Sequence, residues 1–495
     1  MLKQRFLAFL LAALMFAPMY ASCSENEVNT DTEESTQTIE TAETPSAVET
    51  VEVVPEETEL TDGLGDVNMD GYNFRLMTAV VDGVELASFM TSEEMNGEPL
   101  NDAAYESHIY LEDRFNINFT LVEAGDITTQ QTMTQNSVLA NTDDFDVVIS
   151  HDWMSNNTFR KGTFQNLLKF DEFDFTMPWW PEGTRENLTV ANKMYFASNY
   201  ASYCGLAYCL AYNVNKDVAA DLNIEIPYDA VREGTWTFDK LLALTENAYV
   251  DKNGDGIKDP EDQYGLTAGG HSWYSAQRSC GLEFYPKDEN GNLYLNVDLE
   301  RVTKYVDYIR NIINNQQMYF GDDFFNYGEV MFSKGKSLFG YTRLTDSYIH
   351  YRNCDFSYGF LPTPKMDELQ ENYVNAGTDH MWSIPLTVAS DDQRTKVATI
   401  MEAMSCYNYK NLIPAYMETT MKTKLADSPD DAEMLQIIAD TREFIFEKFY
   451  VLEHHELFLD LIDESKKPAS YFASTERVAQ MTVERLGMLF DKLPE

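Results

Sequence analysis

The sequence predicts an α/β protein built from doubly wound sheets. Between Tyr72 and Ser150, short apolar and β-branched runs alternate with longer stretches that carry apolar residues at helical spacing. Alternation of strands and helices is typical of a largely parallel sheet with helices on both faces. The chain from Val67 to Glu495 is long enough for two such units, each with its own core.

The first unit is predicted element by element. Strands are expected in YNFRLMTA, NFTLVEA and DFDVVIS, and helices in LNDAAYESHIYLEDRFNI and TMTQNSVLAN. In a doubly wound sheet, ligands bind beyond the carboxyl ends of the strands. DFDVVIS ends at Ser150, so Asp152 and Trp153, which follow it, are candidate ligand-binding residues.

The later part of the chain continues the alternation. A helix is expected to begin after Thr237, whose hydroxyl suits an N-cap, and the strand YGLTAG follows it. Two C-terminal helices are predicted in DAEMLQIIADTREFIFEKFYV and STERVAQMTVERLGMLFDKL, because apolar residues recur there at helical spacing. We interpret Trp179, Trp180 and Trp236 as packing residues.

The N-terminus has the features of a secretory signal. Lys3 and Arg5 precede an apolar run, and the small residues before Cys23 resemble the end of a bacterial lipobox. Residues 1–23 are therefore predicted to be a lipoprotein signal peptide, with a lipid on Cys23. This would anchor the protein to the outer face of the bacterial cytoplasmic membrane. Ordinary cleavage and release is the alternative.

The segment 24–66 is predicted to be a disordered acidic stalk. It contains fourteen acidic residues, no Lys or Arg and no aromatic residue, so it cannot bury enough apolar surface to fold. The formal net charge of the whole chain is −46. Such a chain repels phosphate backbones, and no basic stripe offsets that repulsion, so nucleic acid is not an expected partner.

The cysteines do not suggest a metal or redox site. If Cys23 carries lipid, five cysteines remain, and none of them forms a CxxC pair. An odd number leaves at least one thiol unpaired within the chain, and buried free thiols are the simplest interpretation. Whether Cys204 and Cys209 form a disulfide stays open.

An acidic stretch from residue 251 to residue 262 has the spacing of a twelve-residue calcium loop. Gly256 occupies the position of the sharp turn, and the last ligand position is Asp rather than Glu. The sequence therefore predicts a Ca²⁺ site of modest affinity, with a solvated acidic turn as the alternative. The expected ligands are Asp251, Asn253, Asp255, the carbonyl of Ile257, Asp259 and Asp262.

Common catalytic motifs are missing. The adjacent His454 and His455 lack the HExxH spacing of a zinc site, and the scattered histidines are interpreted as surface or capping residues. There is no GxSxG motif and no P-loop. The paired carboxylates of a glycosidase have no fixed spacing in sequence, so they stay possible in so acidic a chain.

Five segments in order resemble a known family. They are YNVNKD, GTWTFDKL with the DKNGDG and DQYG that follow it, FSKGKSLFGY, YGFLPTPK, and MWSIP with the helix after it. In this order they resemble bacterial extracellular solute-binding proteins of the family 1 type, the lipoproteins that supply sugar ABC importers. The likeness covers most of the chain from Tyr72 to Glu495.

The resemblance implies a two-lobe periplasmic-binding-protein-like fold of type II, in which a hinge joins two doubly wound sheets. Lobe 1 is expected to comprise residues 67–200 and 386–440, and lobe 2 residues 201–385 and 441–495. The chain is expected to cross between lobes near Phe196 to Leu206 and near Trp382 to Pro385. The calcium loop then lies inside one lobe, so Ca²⁺ would be a structural clip.

The resemblance also implies a function. The protein would not be an enzyme. It would be a monomeric receptor that captures a carbohydrate and delivers it to an ABC permease, and the expected carbohydrate is an oligosaccharide. Sugars require aromatic platforms and polar partners, which the strand-end loops supply. The expected ligand-binding residues are Asp152, Trp153, His271, Trp273, Tyr274, Tyr341, Arg343, Asp379 and Trp382.

Three other functions stay open. One is a secreted enzyme that acts on glycans, which detectable hydrolysis would reveal. Another is a binding protein for a peptide or another non-sugar solute. A third is a sensor or adhesion module that works without a transporter.

Overall fold

The computed structural model describes residues 60–81, 83–314, 318, 327–378, 380–422, 426, 428–450, 452–455 and 457–494. The signal peptide, Cys23 and the acidic segment up to residue 59 lie outside these residues. No helix in the described part is long and apolar enough to cross a membrane.

The strands of the described residues form two larger sheets and one small sheet. In chain order they are β1 (Tyr72–Val81), β2 (Val84–Glu85), β3 (Ile117–Asp126), β4 (Val147–His151), β5 (Leu210–Asn215), β6 (Tyr264–Ala268), β7 (Ser337–Arg343), β8 (Tyr358–Leu361), β9 (Asn375–Gly377), β10 (His380–Ser383) and β11 (Arg442–Phe444).

The first sheet is parallel in its central part. β1 lies between β3 and β4 and pairs with both in parallel, while β10 pairs with β4 in antiparallel fashion and β2 forms a short antiparallel pair with β1. The second sheet has the order β6-β7-β5-β8, and only its β6–β7 pair is parallel. β9 and β11 form the small parallel sheet.

Several helices pack against the strands of the sheets. In chain order they are α1 (Pro99–Phe115), α2 (Ile127–Ala140), α3 (Asp152–Phe159), α4 (Glu182–Leu188), α5 (Cys204–Ala207), α6 (Lys216–Asp221), α7 (Tyr228–Arg232), α8 (Phe238–Thr245), α9 (Gly270–Ser279), α10 (Leu299–Asn314), α11 (Tyr327–Ser333), α12 (Leu344–Asp346), α13 (Asp391–Lys410), α14 (Leu412–Pro414), α15 (Pro429–Asp440), α16 (Phe446–Phe449), α17 (Leu457–Leu461) and α18 (Pro468–Lys492). Short 3₁₀ turns span Leu86–Phe89 and Leu167–Lys169, and π-helical turns span Ser347–Tyr351 and Ala415–Lys422.

The predicted first unit is confirmed, from β1 through α1, β3 and α2 to β4. The N-cap at Thr237 is also present, because its side chain accepts a hydrogen bond from the amide of Lys240 at 3.4 Å. One C-terminal helix prediction is wrong. The stretch from Asp431 is divided into α15, β11 and α16, because the three residues of β11 pair with β9 instead of continuing the helix.

Two passages of the chain connect the larger sheets. Isolated bridges join Ala197 to Trp382 and Cys209 to Gly377, so the outward and return passages run side by side. The outward passage lies in the expected region. The return passage lies upstream of the expected Trp382 to Pro385, because β10 already pairs with β4 of the first sheet.

The expected lobe boundaries need two corrections. β10 belongs to the first sheet, although residues up to 385 were assigned to lobe 2. α15 belongs to the second sheet, although residues up to 440 were assigned to lobe 1. It packs on β8, and its Asp431 accepts hydrogen bonds from Lys216 at 2.6 Å and Tyr228.

The last residues of the expected stalk are part of the folded body. Arg114 of α1 donates to both carboxylate oxygens of Asp62 and to the carbonyl of Leu64, and Lys410 donates to the carbonyl of Leu60 at 2.9 Å. These contacts hold the chain against α1 and α13. The predicted disordered segment therefore extends too far at its C-terminal end.

Candidate functional site

The ends of two strands bring two histidines together in the first sheet. His380 opens β10 and stands directly opposite His151, the last residue of β4, in the antiparallel register. Their ring centroids are 5.2 Å apart. α3 begins at the next residue, Asp152, whose carboxylate lies 2.9 Å from Nδ1 of His151.

Asp152 is a buried carboxylate with an ammonium and an imidazole beside it. It is 4% exposed, and the ammonium of Lys448 lies 3.7 Å from its other oxygen. Burial alone would raise its pKa, but Lys448 and His151 outweigh that effect and hold the pKa well below its usual range. The group is therefore ionised at physiological pH.

The second sheet contributes a guanidinium at the end of β7. Arg343 contacts Asp346 through Nη2 at 3.0 Å and Nε at 3.2 Å, which fixes its plane. The guanidinium lies 4.9 Å from the ring centroid of Tyr208. The Tyr208 ring is in turn 4.7 Å from the ring of His380.

These contacts define a strand-end cluster of His151, Asp152, Tyr208, Arg343 and His380. Strand ends of the first sheet meet a strand end of the second sheet there, next to the passages that join them.

Aromatic rings extend the cluster on one side. The ring of Phe89 lies 5.6 Å from His380 and 5.1 Å from Tyr203, and Tyr203 stacks on Tyr416 at 4.9 Å. The arrangement offers ring faces next to charged and hydrogen-bonding groups. That combination suits recognition of a polyhydroxylated solute.

Of the predicted ligand-binding residues, Asp152 and Arg343 lie in the strand-end cluster. The structure does not describe Asp379. It describes only the backbone of Trp153 in α3 and of His271 and Tyr274 in α9.

Three predicted aromatic residues are packed inside the protein in this conformation. Trp273 and Tyr341 are 0% exposed and Trp382 is 1% exposed, so none of them presents a free face to a ligand. Trp382 packs against Phe173 and Trp180. Tyr341 and Trp382 stand on strands in which every side chain is buried or nearly so, because both faces of these strands are covered. Closeness to a strand end in the sequence does not indicate whether a side chain is buried in this way.

Sequence reasoning missed His380 and Tyr208. His380 was interpreted with the other histidines as a surface or capping residue, yet it is only 5% exposed. Its neighbour Asp379 was predicted instead. His380 lies beside His151 through antiparallel strand pairing, and no local sequence pattern indicates that pairing. Tyr208 was passed over within an apolar stretch of the outward passage.

A separate cavity of about 530 Å³ is lined in part by residues of α16. Phe446 and Glu447 line it, whereas the next residue, Lys448, contacts the strand-end cluster. Other lining residues include Phe175, Arg185, Asn187, Arg278, Glu283, Tyr285 and Lys287.

The charged groups of this cavity are already paired within the protein. Arg278 contacts Glu443 at 2.7 Å and Glu283 at 3.5 Å. Lys287 donates to the carbonyls of Glu186 and Asn187, and burial lowers its pKa to about 8 against the opposing effect of nearby carboxylates. The charged groups of the strand-end cluster are paired as well, so pairing does not separate the two places. We take the strand-end cluster as the candidate ligand site because strand ends of both larger sheets meet there.

The predicted calcium loop is held by its own hydrogen bonds. The two oxygens of Asp251 accept from the amides of Gly254 and Gly256 at 2.7 and 2.9 Å. Asp262 accepts from the amide of Lys252 and the hydroxyl of Tyr249, and although burial opposes its charge, these bonds lower its pKa. No group of three or more acidic, histidine or cysteine side chains in the described residues is arranged to hold a metal. The Ca²⁺ site stays a prediction.

The described cysteines are free thiols, so Cys204 and Cys209 do not form a disulfide. Four of these five cysteines are buried, and Cys354 is half-buried. The packing role predicted for Trp179, Trp180 and Trp236 agrees with their exposure of 4% or less.

No protein-family model matches the sequence, and no curated protein matches it. Solved structures do match the fold. The cyclic α-maltosyl-1,6-maltose binding protein from Arthrobacter globiformis is 13% identical, with a TM-score of 0.57 over 84% of this chain and 100% of that one. The ABC substrate-binding protein Lmo0181 from Listeria monocytogenes, in complex with cycloalternan, is 13% identical, with a TM-score of 0.53 over 84% and 100%.

UgpB from Mycobacterium tuberculosis, in complex with glycerophosphocholine, is also 13% identical, with a TM-score of 0.51 over 84% of this chain and 99% of that one. One of these three neighbours is an ABC substrate-binding protein and another is a binding protein for a cyclic sugar, and all three match over nearly their whole length. At these identities the likeness shows the fold. The predicted two-lobe α/β fold is confirmed.

Proposed function

We propose that the chain is an extracellular substrate-binding lipoprotein of an ABC importer, which captures a carbohydrate of oligosaccharide length and delivers it to a membrane permease. The observation that carries the proposal is the strand-end cluster. Asp152 and His380 come from strand ends of the first sheet and Arg343 from a strand end of the second, so a ligand held there would touch both lobes.

The mechanism that fits this arrangement is hinge closure. A ligand stabilises the closed state only if it makes better contacts there than in the open state. The two passages held side by side at Ala197 and Gly377 are the segments that would bend. Contacts from both sheets to one ligand would supply the difference in affinity.

A carbohydrate is favoured over other solutes by the mixture of groups in the cluster. Tyr208 is half-buried and offers part of its ring, and the carboxylate of Asp152 and the guanidinium of Arg343 are held in fixed orientation for hydroxyl groups. Two of the structural neighbours are a receptor for cyclic maltosyl-maltose and a receptor in complex with cycloalternan.

A second candidate ligand class is suggested by UgpB, a neighbour of the same fold in complex with glycerophosphocholine. The ionised Asp152 and the ring faces could receive a quaternary ammonium group. A phosphodiester should therefore be included when ligands are screened.

The deciding experiment is calorimetric titration of the body from Leu60 onward. The ligands are cycloalternan, linear tetrasaccharides of glucose and xylose, glycerophosphocholine and a tetrapeptide. Binding of a sugar that mass spectrometry then recovers intact supports a carbohydrate receptor. Recovery of cleaved sugar would indicate a glycan-acting enzyme instead, and binding of the peptide or phosphodiester alone would contradict the carbohydrate proposal.

The lipid anchor is a separate part of the proposal. It rests on the apolar run and on the small residues before Cys23. In a bacterial host, the wild-type protein should fractionate with membranes, and Cys23→Ser should be retained as an uncleaved precursor or released. A lipid-free wild-type protein in the medium would contradict the anchor without affecting the ligand proposal.

A further inference from the structure

His380 combines deep burial with unused hydrogen-bonding capacity. Its side chain is 5% exposed, and neither ring nitrogen has a hydrogen-bond partner among the described residues. Buried polar side-chain atoms are hydrogen-bonded in the large majority of cases, so an exception of this kind needs an explanation. The backbone amide of His380, by contrast, contacts Sγ of Cys204 at 3.4 Å.

The surroundings of the ring come from the first sheet and from the passage that leads to the second. His151 and Phe89 approach it from the side of the first sheet at 5.2 and 5.6 Å, and Tyr208 approaches it at 4.7 Å. Tyr208 in turn carries Arg343 of the second sheet above its ring. Tyr208 belongs to the outward passage, so a movement of that passage would open a path to the imidazole.

The imidazole is uncharged under physiological conditions. Burial is the main cause that lowers its pKa to about 3, and His151 and Arg343 act in the same direction while Asp152 opposes them. Tyr208 and the thiol of Cys204 are the other titratable groups beside it. A neutral imidazole has one N–H donor and one acceptor nitrogen, and sugar hydroxyls complement both.

We propose that His380 is a ligand-contacting residue of the candidate site, where one ring nitrogen donates to and the other accepts from hydroxyl groups of the bound carbohydrate. This inference rests on the proposed function and adds to it a preference for uncharged polyhydroxylated ligands. A carboxylate or sulfate can accept from the N–H but cannot donate to the second nitrogen, which would stay unsatisfied.

The position has an energetic signature that does not depend on the ligand. If the ring nitrogens are unsatisfied without ligand, replacing the imidazole by an apolar ring removes a cost of folding. His380→Phe should then raise the Tm of the ligand-free protein by about 1–3 °C. If the imidazole instead stabilised the fold, His380→Phe would lower the Tm of the ligand-free protein.

The test compares wild type, His380→Phe and His380→Gln by thermal unfolding and by calorimetry with cycloalternan and the linear tetrasaccharides. His380→Phe should weaken the affinity for the bound sugar about 30-fold, the equivalent of two neutral hydrogen bonds. His380→Gln keeps a donor and an acceptor and should restore most of the affinity.

His454 provides a control for stability in which only one ring nitrogen is unsatisfied. It is 3% exposed, its Nδ1 has no partner among the described residues, and its Nε2 lies 2.9 Å from the hydroxyl of Thr475. His454→Phe loses that hydrogen bond, so it should raise the Tm of the ligand-free protein less than His380→Phe does.

Two results would overturn the inference while the proposed function stands. One is a ligand-free His380→Phe protein that is less stable than wild type, and the other is a variant that binds the sugar as tightly as wild type. If wild type binds no carbohydrate, the proposed function fails and the contact proposed for His380 fails with it.

Discussion

The carboxyl group of Glu402 on α13 should make the protein less stable as the pH rises from 5 to 8. The side chain has no exposed surface, and its two oxygens accept hydrogen bonds from the indoles of Trp179 at 2.8 Å and Trp180 at 2.9 Å. Burial raises its pKa to about 7, and the indole hydrogen bonds offset that effect only in part.

The size of the effect follows from the difference between the folded and unfolded states. An unfolded Glu has a pKa of about 4.3, so the folded protein holds this proton more tightly. The resulting stabilisation is fully present below about pH 4 and is lost as the pH rises through 7. A difference of between two and three pKa units corresponds to roughly 3–4 kcal/mol.

Urea unfolding of wild type and Glu402→Gln at pH 5, 6, 7 and 8 measures this contribution. Gln cannot ionise, but it has one acceptor oxygen fewer, so one indole loses its partner at a cost of about 1 kcal/mol. The variant should thus be less stable than wild type at pH 5 and more stable at pH 8. Asp392→Asn on the same helix, where the carboxylate is 77% exposed, is the control.

An equal stability difference between wild type and Glu402→Gln at pH 5 and pH 8 would refute this reasoning. It would mean that Glu402 is ionised over the whole range despite its burial. In that case the two indole hydrogen bonds, and not desolvation, would dominate its pKa.

Three further predictions concern the site, the acidic loop and the N-terminal segment. Arg343→Lys loses the fixed planar group over Tyr208, so calorimetry should show about 10-fold weaker sugar binding. The Tm of this variant should stay within about 2 °C of wild type. Unchanged affinity would mean that Arg343 does not contact the ligand. If the loop binds Ca²⁺, a chelator should lower the Tm of wild type but not the Tm of Asp251→Asn. Sugar binding by the wild type should stay intact in the chelator. A wild-type Tm that is equal with and without Ca²⁺ would contradict the metal prediction. Arg114→Ala should release the segment at Asp62, which glutamyl endopeptidase would then cleave faster; an unchanged cleavage rate would show that Arg114 does not hold it.

Much of the fold could be predicted because its signals are local. The periodic spacing of apolar residues predicts β1, α1, β3, α2 and β4. The helix that follows Thr237 is predicted by a single residue, because threonine is a preferred N-cap. The prediction of a single helix from Asp431 onward was wrong because the deciding contact is not local. Its middle residues pair with β9, and a contact with a distant part of the chain leaves no periodic trace.

The candidate site was predicted in part for the same reason. Asp152 and Arg343 follow strand ends, which the pattern locates, and both lie in the strand-end cluster. Trp273 and Trp382 also stand at or near strand ends, but other rings and helices cover them. Whether an aromatic ring faces a cleft or the core depends on the layer above it, which a single segment does not specify.

The sequence by itself determined the α/β class, the order of the segments that resemble solute-binding proteins, and the negative net charge that makes nucleic acid an unexpected partner. These properties depend on composition and on spacing along the chain. Only the tertiary structure decided that His380 stands beside His151, that Tyr208 lies between His380 and Arg343, and that Trp382 is buried. Strand pairing and burial are set by contacts between distant segments, so they follow from the folded chain and not from any one stretch of it.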